Sequence, residues 1–153
     1  MNIIAYNSKY KAQFKALNIA WLEKYFYVEP YDLEVLSNPE TYIIDKGGHI
    51  FFVLDNETPI ATVALMPTKE KNIYELTKMA VDPDYQGQKL GQKLLEYCIA
   101  FAKAHAFSGL LLYSNTILEN AIYIYRKYGF KEIPLEEGVS YKRANIKMQH
   151  PLK

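Results

Sequence analysis

Apolar positions in the first third of the chain recur with a helical period. Tyr10, Phe14, Leu17, Trp21, Leu22 and Tyr25 share one face, with Lys11, Lys15 and Lys24 elsewhere on the wheel. Ile3–Tyr6 reads as a short strand before this helix, and Ser8 is placed to cap it. The run Glu29-Pro30-Tyr31-Asp32 breaks the helix, and a shorter one is expected over Asp32–Leu36, ending before Pro39. Gly47-Gly48 marks a turn, after which the period changes to two or to unbroken apolar runs. Ile50–Leu54 and Ile60–Met66 read as strands joined by a hairpin connection, and Asn72–Val81 as a third strand stopped by Asp82-Pro83. Leu90 to about His105 is a helix burying Leu90, Leu94, Cys98, Phe101 and Ala102. Leu110–Tyr113 is a buried strand, and Glu119–Tyr128 a helix ended by Gly129. Phe130–Ile133 and Tyr141–Met148 read as closing strands. With no repeat, linker or low-complexity tract, residues 1–153 are expected to form one α/β domain around a mixed sheet.

Composition narrows the classes. Half the residues are apolar, and 14 tyrosines stand beside 7 phenylalanines in 153 residues, which describes a packed core rather than a disordered chain. A formal net charge of +1 demotes nucleic acid as a partner. Cys98 is the single cysteine, so no internal disulfide can form and a reducing compartment is expected. The first residues carry no basic region followed by an apolar run, and no apolar stretch approaches the roughly 20 residues of a membrane span. These features lead us to expect a cytoplasmic protein without a membrane partner.

Candidate chemistry centres on Gln86-Gly87-Gln88-Lys89-Leu90-Gly91, a loop between a strand and a helix. Such a loop gathers backbone N–H groups at the positive end of the helix dipole, a place for phosphate. Gly87 and Gly91 allow turning or close approach, and Lys89 sits where a cation is disfavoured unless an anion is near. Elsewhere, Cys98 lies in an apolar helical stripe and reads as a buried thiol, not a nucleophile. His49, His105 and His150 are too scattered in sequence to suggest a metal site.

This loop and a second segment together resemble the GCN5-related N-acetyltransferase (GNAT) superfamily. The first motif is Val81-Asp82-Pro83 followed by Gln86 and Gly91, and the second is Ala121-Ile122, Tyr125 and Gly129-Phe130. One departure stands out: Lys89 occupies the position of the motif's first glycine. The resemblance implies a mostly antiparallel, twisted sheet of six or seven strands, flanked by about four helices, with a splayed parallel pair. It implies acetyl-CoA as co-substrate and an amine acceptor, with no metal. The pantetheine arm would bond to the edge Met79, Ala80 and Val81, and the pyrophosphate to the amides of Gln86, Gly87, Gln88, Lys89, Leu90, Gly91 and Gln92. Asn115 would assist the pantetheine or the substrate carbonyl, with Asn120 competing for that match. Tyr125 corresponds to the acid that protonates the leaving sulfur, and Glu75 to a base, a role that water could also fill. Tyr113 stands where some branches carry a glutamate. The first two helices and their joining loop would form one wall of the acceptor site, where the aromatic cluster Trp21, Tyr25, Phe26, Tyr27 and Tyr31 falls, and where Tyr27, Glu29, Tyr31 and Asp32 could receive an amine. A homodimer is possible among such proteins. The expected activity is N-acetyl transfer by direct attack on a small amine, amino-acid derivative or peptide. A CoA-binding sensor without turnover, or a nucleotide-phosphate binder, are the alternatives.

Overall fold

The computed structural model describes residues 1–152. In chain order the elements are β1 (Asn2–Ala5), α1 (Lys11–Tyr25), α2 (Pro30–Ser37), β2 (His49–Asp55), β3 (Thr58–Pro67) and β4 (Ile73–Val81). They continue with α3 (Leu90–Ala104), β5 (Gly109–Ser114), α4 (Glu119–Lys127), β6 (Lys131–Ile133) and β7 (Ile146–Pro151). One seven-stranded sheet runs β1-β2-β3-β4-β5-β7-β6. Every neighbouring pair is antiparallel except β4–β5. The mixed, mostly antiparallel α/β architecture therefore matches the expectation.

Two cores cover the two faces of the sheet. Phe51, Val63, Leu65 and Leu76 pack with Leu94, Leu95 and Cys98 of α3 on one side. Phe52, Ala64 and Leu54 pack with Phe14 and Leu22 of α1 and Val35 of α2 on the other. The alternation along β2 and β3 sends successive side chains to opposite cores, so these strands are buried on both faces.

Several boundaries differ from expectation for local reasons. Ser8 is not the cap: Asn7 is extended, and its side chain accepts from Lys9 N at 3.0 Å, opening a 3₁₀ turn over Ser8–Tyr10 before α1 begins. Pro30 opens α2 rather than merely ending α1, because proline suits the first helical position. Asp32, two residues on, accepts from Glu29 N at 3.0 Å and closes the helix start. A single π-helical turn, Glu40–Ile44, carried no periodic signal. The last strand begins at Ile146, not Tyr141, because the backbone N–H groups of Lys142 and Arg143 donate to the Glu29 carboxylate instead of to a neighbouring strand.

Candidate active site

The parallel pair β4–β5 is short. Ile73, Tyr74 and Glu75 face Gly109, Leu110 and Leu111, and the pairing stops there. From that point β4 stays with β3 as far as Val81 opposite Ala61, while β5 stays with β7 as far as Ser114 opposite Ile146. The two strands part, and the facing edges beyond Glu75 and Leu111 lack a sheet partner. A β-bulge accompanies the parting: Thr77 pairs with Ala64 and Ala80 with Thr62, so Lys78 and Met79 together oppose Val63. Lys78 takes a left-handed φ of 55°, and the extra residue bends the strand. The wedge opens into a cavity of about 860 Å³ that reaches α1, the start of α3 and α4.

At one end of this cavity lies the glycine loop. The backbone amides of Gly87 through Gln92 donate to no protein acceptor among the described residues; the next amide, Lys93 N, makes the first helical bond of α3, to Lys89 O at 3.0 Å. Free donors at a helix N-terminus form an anion cradle. Gly87 has φ +85°, a conformation that favours glycine. Lys89 adopts φ 60° without being glycine, so the motif position keeps its left-handed backbone under a lysine side chain. Gly91 is different: a Cβ there would meet only Met79 Sδ at 3.7 Å, an ordinary contact. The protein's own packing does not require glycine at 91. The side chain of Lys24, from the end of α1, reaches this loop and lies 3.5 Å from Gln86 Oε1.

The strand β4 presents different residues to its two faces. Met79 and Val81 pack toward α3. Glu75 and Thr77 lie opposite Met66 and Ala64, which belong to the core under α1 and α2. Glu75 is half-buried, lines the cavity, and has no cation within 4 Å among the described residues. Burial pushes its carboxyl upward, against the Lys78 ammonium and the Thr77 hydroxyl. Tyr125 of α4 also lines the cavity, its hydroxyl without a protein hydrogen bond among the described residues; burial pushes its phenol up to about 12.

Between these groups lies a buried ionic network. Lys78 Nζ donates to Asp32 Oδ1 at 3.1 Å and to the Tyr141 hydroxyl at 2.7 Å. Arg143 grips Asp32 through both terminal nitrogens, at 2.6 and 2.9 Å, and reaches Glu29 Oε2 at 2.9 Å. The Tyr141 ring has Lys78 Nζ 4.3 Å and Arg143 Cζ 4.6 Å from its centroid. This network ties the bulge of β4, the start of α2 and the β6–β7 loop into one wall.

The structure distributes the expected residues unevenly. Every loop and edge residue named for the cofactor lines the cavity except Gln88. Asn115 lines it too, but its amide is committed to the loop: Nδ2 donates to Arg143 O at 2.7 Å, and Oδ1 accepts from Ile117 N at 2.9 Å. Asn120 lines the cavity without such ties. Tyr27, Glu29 and Tyr31 lie outside the lining. Tyr27 is exposed, Glu29 is held by Arg143 and two backbone amides, and Tyr31 packs its ring against Tyr42 and Tyr141. Asp32, Trp21, Tyr25 and Phe26, from the same region, do line it.

Away from the cavity, Cys98 is fully buried, and burial raises its thiol. His49 and His105, distant in sequence, meet with ring centroids 6.5 Å apart inside an aromatic cluster. Among the described residues no group of three or more His, Cys, Asp or Glu side chains is arranged to hold a metal, and no helix is long and apolar enough to cross a membrane.

Sequence reasoning passed over Lys78, Tyr141 and Arg143. Their hydrogen-bond partners lie 46 to 114 positions away, so no local spacing connects them. A lysine next to Met79-Ala80-Val81 in a central strand is the available signal.

The parted strand pair thus opens onto a glycine loop whose amides, at a helix N-terminus, have no protein acceptor among the described residues. Residues 46–132 match the family model described as the acetyltransferase (GNAT) domain, and the chain belongs to that family. A GNAT-family acetyltransferase from Staphylococcus aureus Mu50 superposes with a TM-score of 0.86 at 26% identity, over 99% of each chain. PaiA N-acetyltransferase from Thermoplasma acidophilum, solved in complex with coenzyme A, shares the fold with a TM-score of 0.73 at 17% identity, covering 99% of both chains. Among curated relatives, N-acetylaspartate synthetase of Xenopus tropicalis is 28% identical over 103 residues, which is 67% of this chain and 38% of that protein. N-acetyltransferase 8B of Rattus norvegicus is 24% identical over 97 residues, 61% of this chain and 44% of that protein. The match thus spans less than half the length of these two relatives.

Proposed function

We propose that this chain transfers an acetyl group from acetyl-CoA to a primary amine by direct attack. The observation that carries this reading is the parting of β4 and β5 after Glu75 and Leu111, beside a loop whose amides have no protein partner among the described residues. The amides of Gly87–Gln92 suit a pyrophosphate, and the free edge at Met79–Val81 suits the amides of a pantetheine arm, which would add to the sheet as a strand does. The coenzyme A complex of a protein with the same fold supports that placement.

The chemistry needs a neutral amine and a protonated leaving thiol. Glu75, directly or through a water, takes the proton of the acceptor ammonium; its raised carboxyl brings it closer to the working pH of a general base. As the N–C bond forms and the C–S bond breaks, the Tyr125 hydroxyl supplies the proton to sulfur, and the second proton that the nitrogen sheds on becoming an amide returns through solvent to Tyr125. Its raised phenol stays protonated at neutral pH, so the proton is in place. The Lys78–Asp32–Arg143 network holds the wall behind these groups.

Incubation with isotopically labelled acetyl-CoA and a panel of amines, followed by mass spectrometry of the products, tests the reading. Labelled amide together with free CoA is the expected result. CoA binding with no transfer to any amine would instead support a sensor that kept the fold. Stronger thermal protection by ATP than by CoA would point to a nucleotide-phosphate binder.

A further inference from the structure

The balance of charge on the acceptor side of the cavity narrows the class of amine. Two cations, Lys78 and Arg143, are bound to Asp32 and Glu29, and this group of four balances. Glu75 adds one carboxylate without a cation within 4 Å among the described residues. The neighbouring Glu136, which takes the Tyr113 hydroxyl at 2.6 Å, is itself matched by Lys147 at 3.3 Å. One unbalanced negative charge is left, which suits a single ammonium.

Two further polar groups beside this network are already engaged. The Asn18 amide donates to Phe14 O at 3.0 Å, and Tyr141 is held at its hydroxyl by Lys78. What α1 and its C-terminal end offer the cavity beyond Asn18 is largely apolar: Trp21, Leu22, Tyr25 and Phe26. Trp21 stands 5.3 Å from Tyr25 and 5.8 Å from Phe26, centroid to centroid, so the rings form one tilted cluster.

From this arrangement we infer that the acceptor is a monoamine on an aromatic or long apolar body, an arylalkylamine-type substrate. The inference rests on the acetyltransferase reading above. An α-amino acid would bring a carboxylate for which no cation is free among the described residues of this wall; seating it would require pulling Lys78 or Arg143 from a buried partner. A diamine would bring a second ammonium to a wall where Glu75 is the one carboxylate without a cation among the described residues. Specificity then arises from penalties against the wrong charge as much as from contacts with the right body.

Two matched pairs isolate these terms: phenethylamine against phenylalanine, and hexylamine against hexamethylenediamine. The expected kcat/KM ratios are about a hundredfold in favour of phenethylamine and about tenfold in favour of hexylamine. Trp21→Ala is expected to raise KM for phenethylamine about tenfold and KM for methylamine by much less, while KM for acetyl-CoA stays put. Trp21→Phe should recover most of that loss, and melting curves of both variants separate binding from folding. Preference for phenylalanine or for the diamine overturns the acceptor class and leaves the acetyltransferase reading standing. A Trp21→Ala effect confined to acetyl-CoA also overturns it, by moving the aromatic cluster to the donor. If CoA binds yet no amine releases free thiol, both readings fall together.

Discussion

Lys78 donates to Asp32 at 3.1 Å, with side-chain exposures of 3% and 0%, so an almost fully buried ion pair joins the bulge of β4 to the first turn of α2. Asp32 accepts further bonds from both terminal nitrogens of Arg143 and from Glu29 N. Replacing Asp32 by Ala would strand the buried Lys78 ammonium and leave Arg143 with Glu29 alone, and a loss of about 3–5 kcal/mol is expected. Lys78→Met should lose less, about 1–3 kcal/mol, because Asp32 keeps Arg143 and the amide. Urea unfolding of both variants checks the order; equal losses would refute it. Burial by itself would raise the Asp32 carboxyl, but hydrogen bonds from Arg143, the Lys78 charge and the Glu29 amide together hold it below its usual value. Its stabilisation is therefore present above about pH 3.9 and lost as pH falls through the lower, folded value.

A second pH effect belongs to His49. Burial, reinforced by the charge of His105, holds its imidazole below the usual value. The fold favours the neutral ring, so stability is highest above about pH 6.5 and declines as pH falls through that value toward the folded one. Melting temperature should drop between about pH 7.5 and about pH 5.5. His49→Phe should flatten that slope, because a phenyl ring can keep the contact with Phe101, where the centroids are 4.7 Å apart. A smaller slope should persist from His150, whose ring is lowered by burial and then by Lys103.

Tyr125→Phe should lower kcat by about a hundredfold or more while leaving CoA affinity and melting temperature near those of the parent. The hydroxyl has no protein hydrogen bond among the described residues, so its removal breaks nothing in the fold. Unchanged turnover would remove Tyr125 from the mechanism.

Gly91 and Lys89 should reveal a conflict between folding and binding. A methyl group at position 91 would meet only Met79 Sδ, at 3.7 Å. Gly91→Ala should therefore stabilise the helix by about 0.5–1 kcal/mol. The same methyl would crowd the pyrophosphate, raising KM for acetyl-CoA about tenfold or more. Lys89→Gly should relieve a left-handed lysine, a gain of about 1 kcal/mol. Thermal melts and CoA titrations on the same samples read both signs. A Gly91→Ala variant that is more stable and binds CoA as well as the parent would argue against the cradle.

The periodic elements were legible from residue spacing alone. Leu90, Leu94, Cys98 and Ala102 mark a helix stripe, and all four lie in one core. The glycine loop was legible as well, because an anion site of this kind is built from consecutive residues. The acceptor wall was less legible. The resemblance points to Tyr27, Glu29, Tyr31 and Asp32; Asp32 lines the cavity, whereas Glu29 is engaged by Arg143 and Tyr31 by its aromatic neighbours. The Pro30 and Asp32 pair did carry a helix-start signal, through proline at the first position and a carboxylate two residues on.

Sequence by itself determined the helices, the strands and the glycine loop at a helix start, since hydrophobic period and turn chemistry act over a few neighbouring residues. Tertiary structure alone decided that Lys78, Asp32, Tyr141 and Arg143 would engage one another, and that Glu75 would stay without a cation among the described residues. Burial makes the difference. A charge removed from water must find a partner wherever the fold supplies one, and that partner's position in the chain is set by topology, not by spacing.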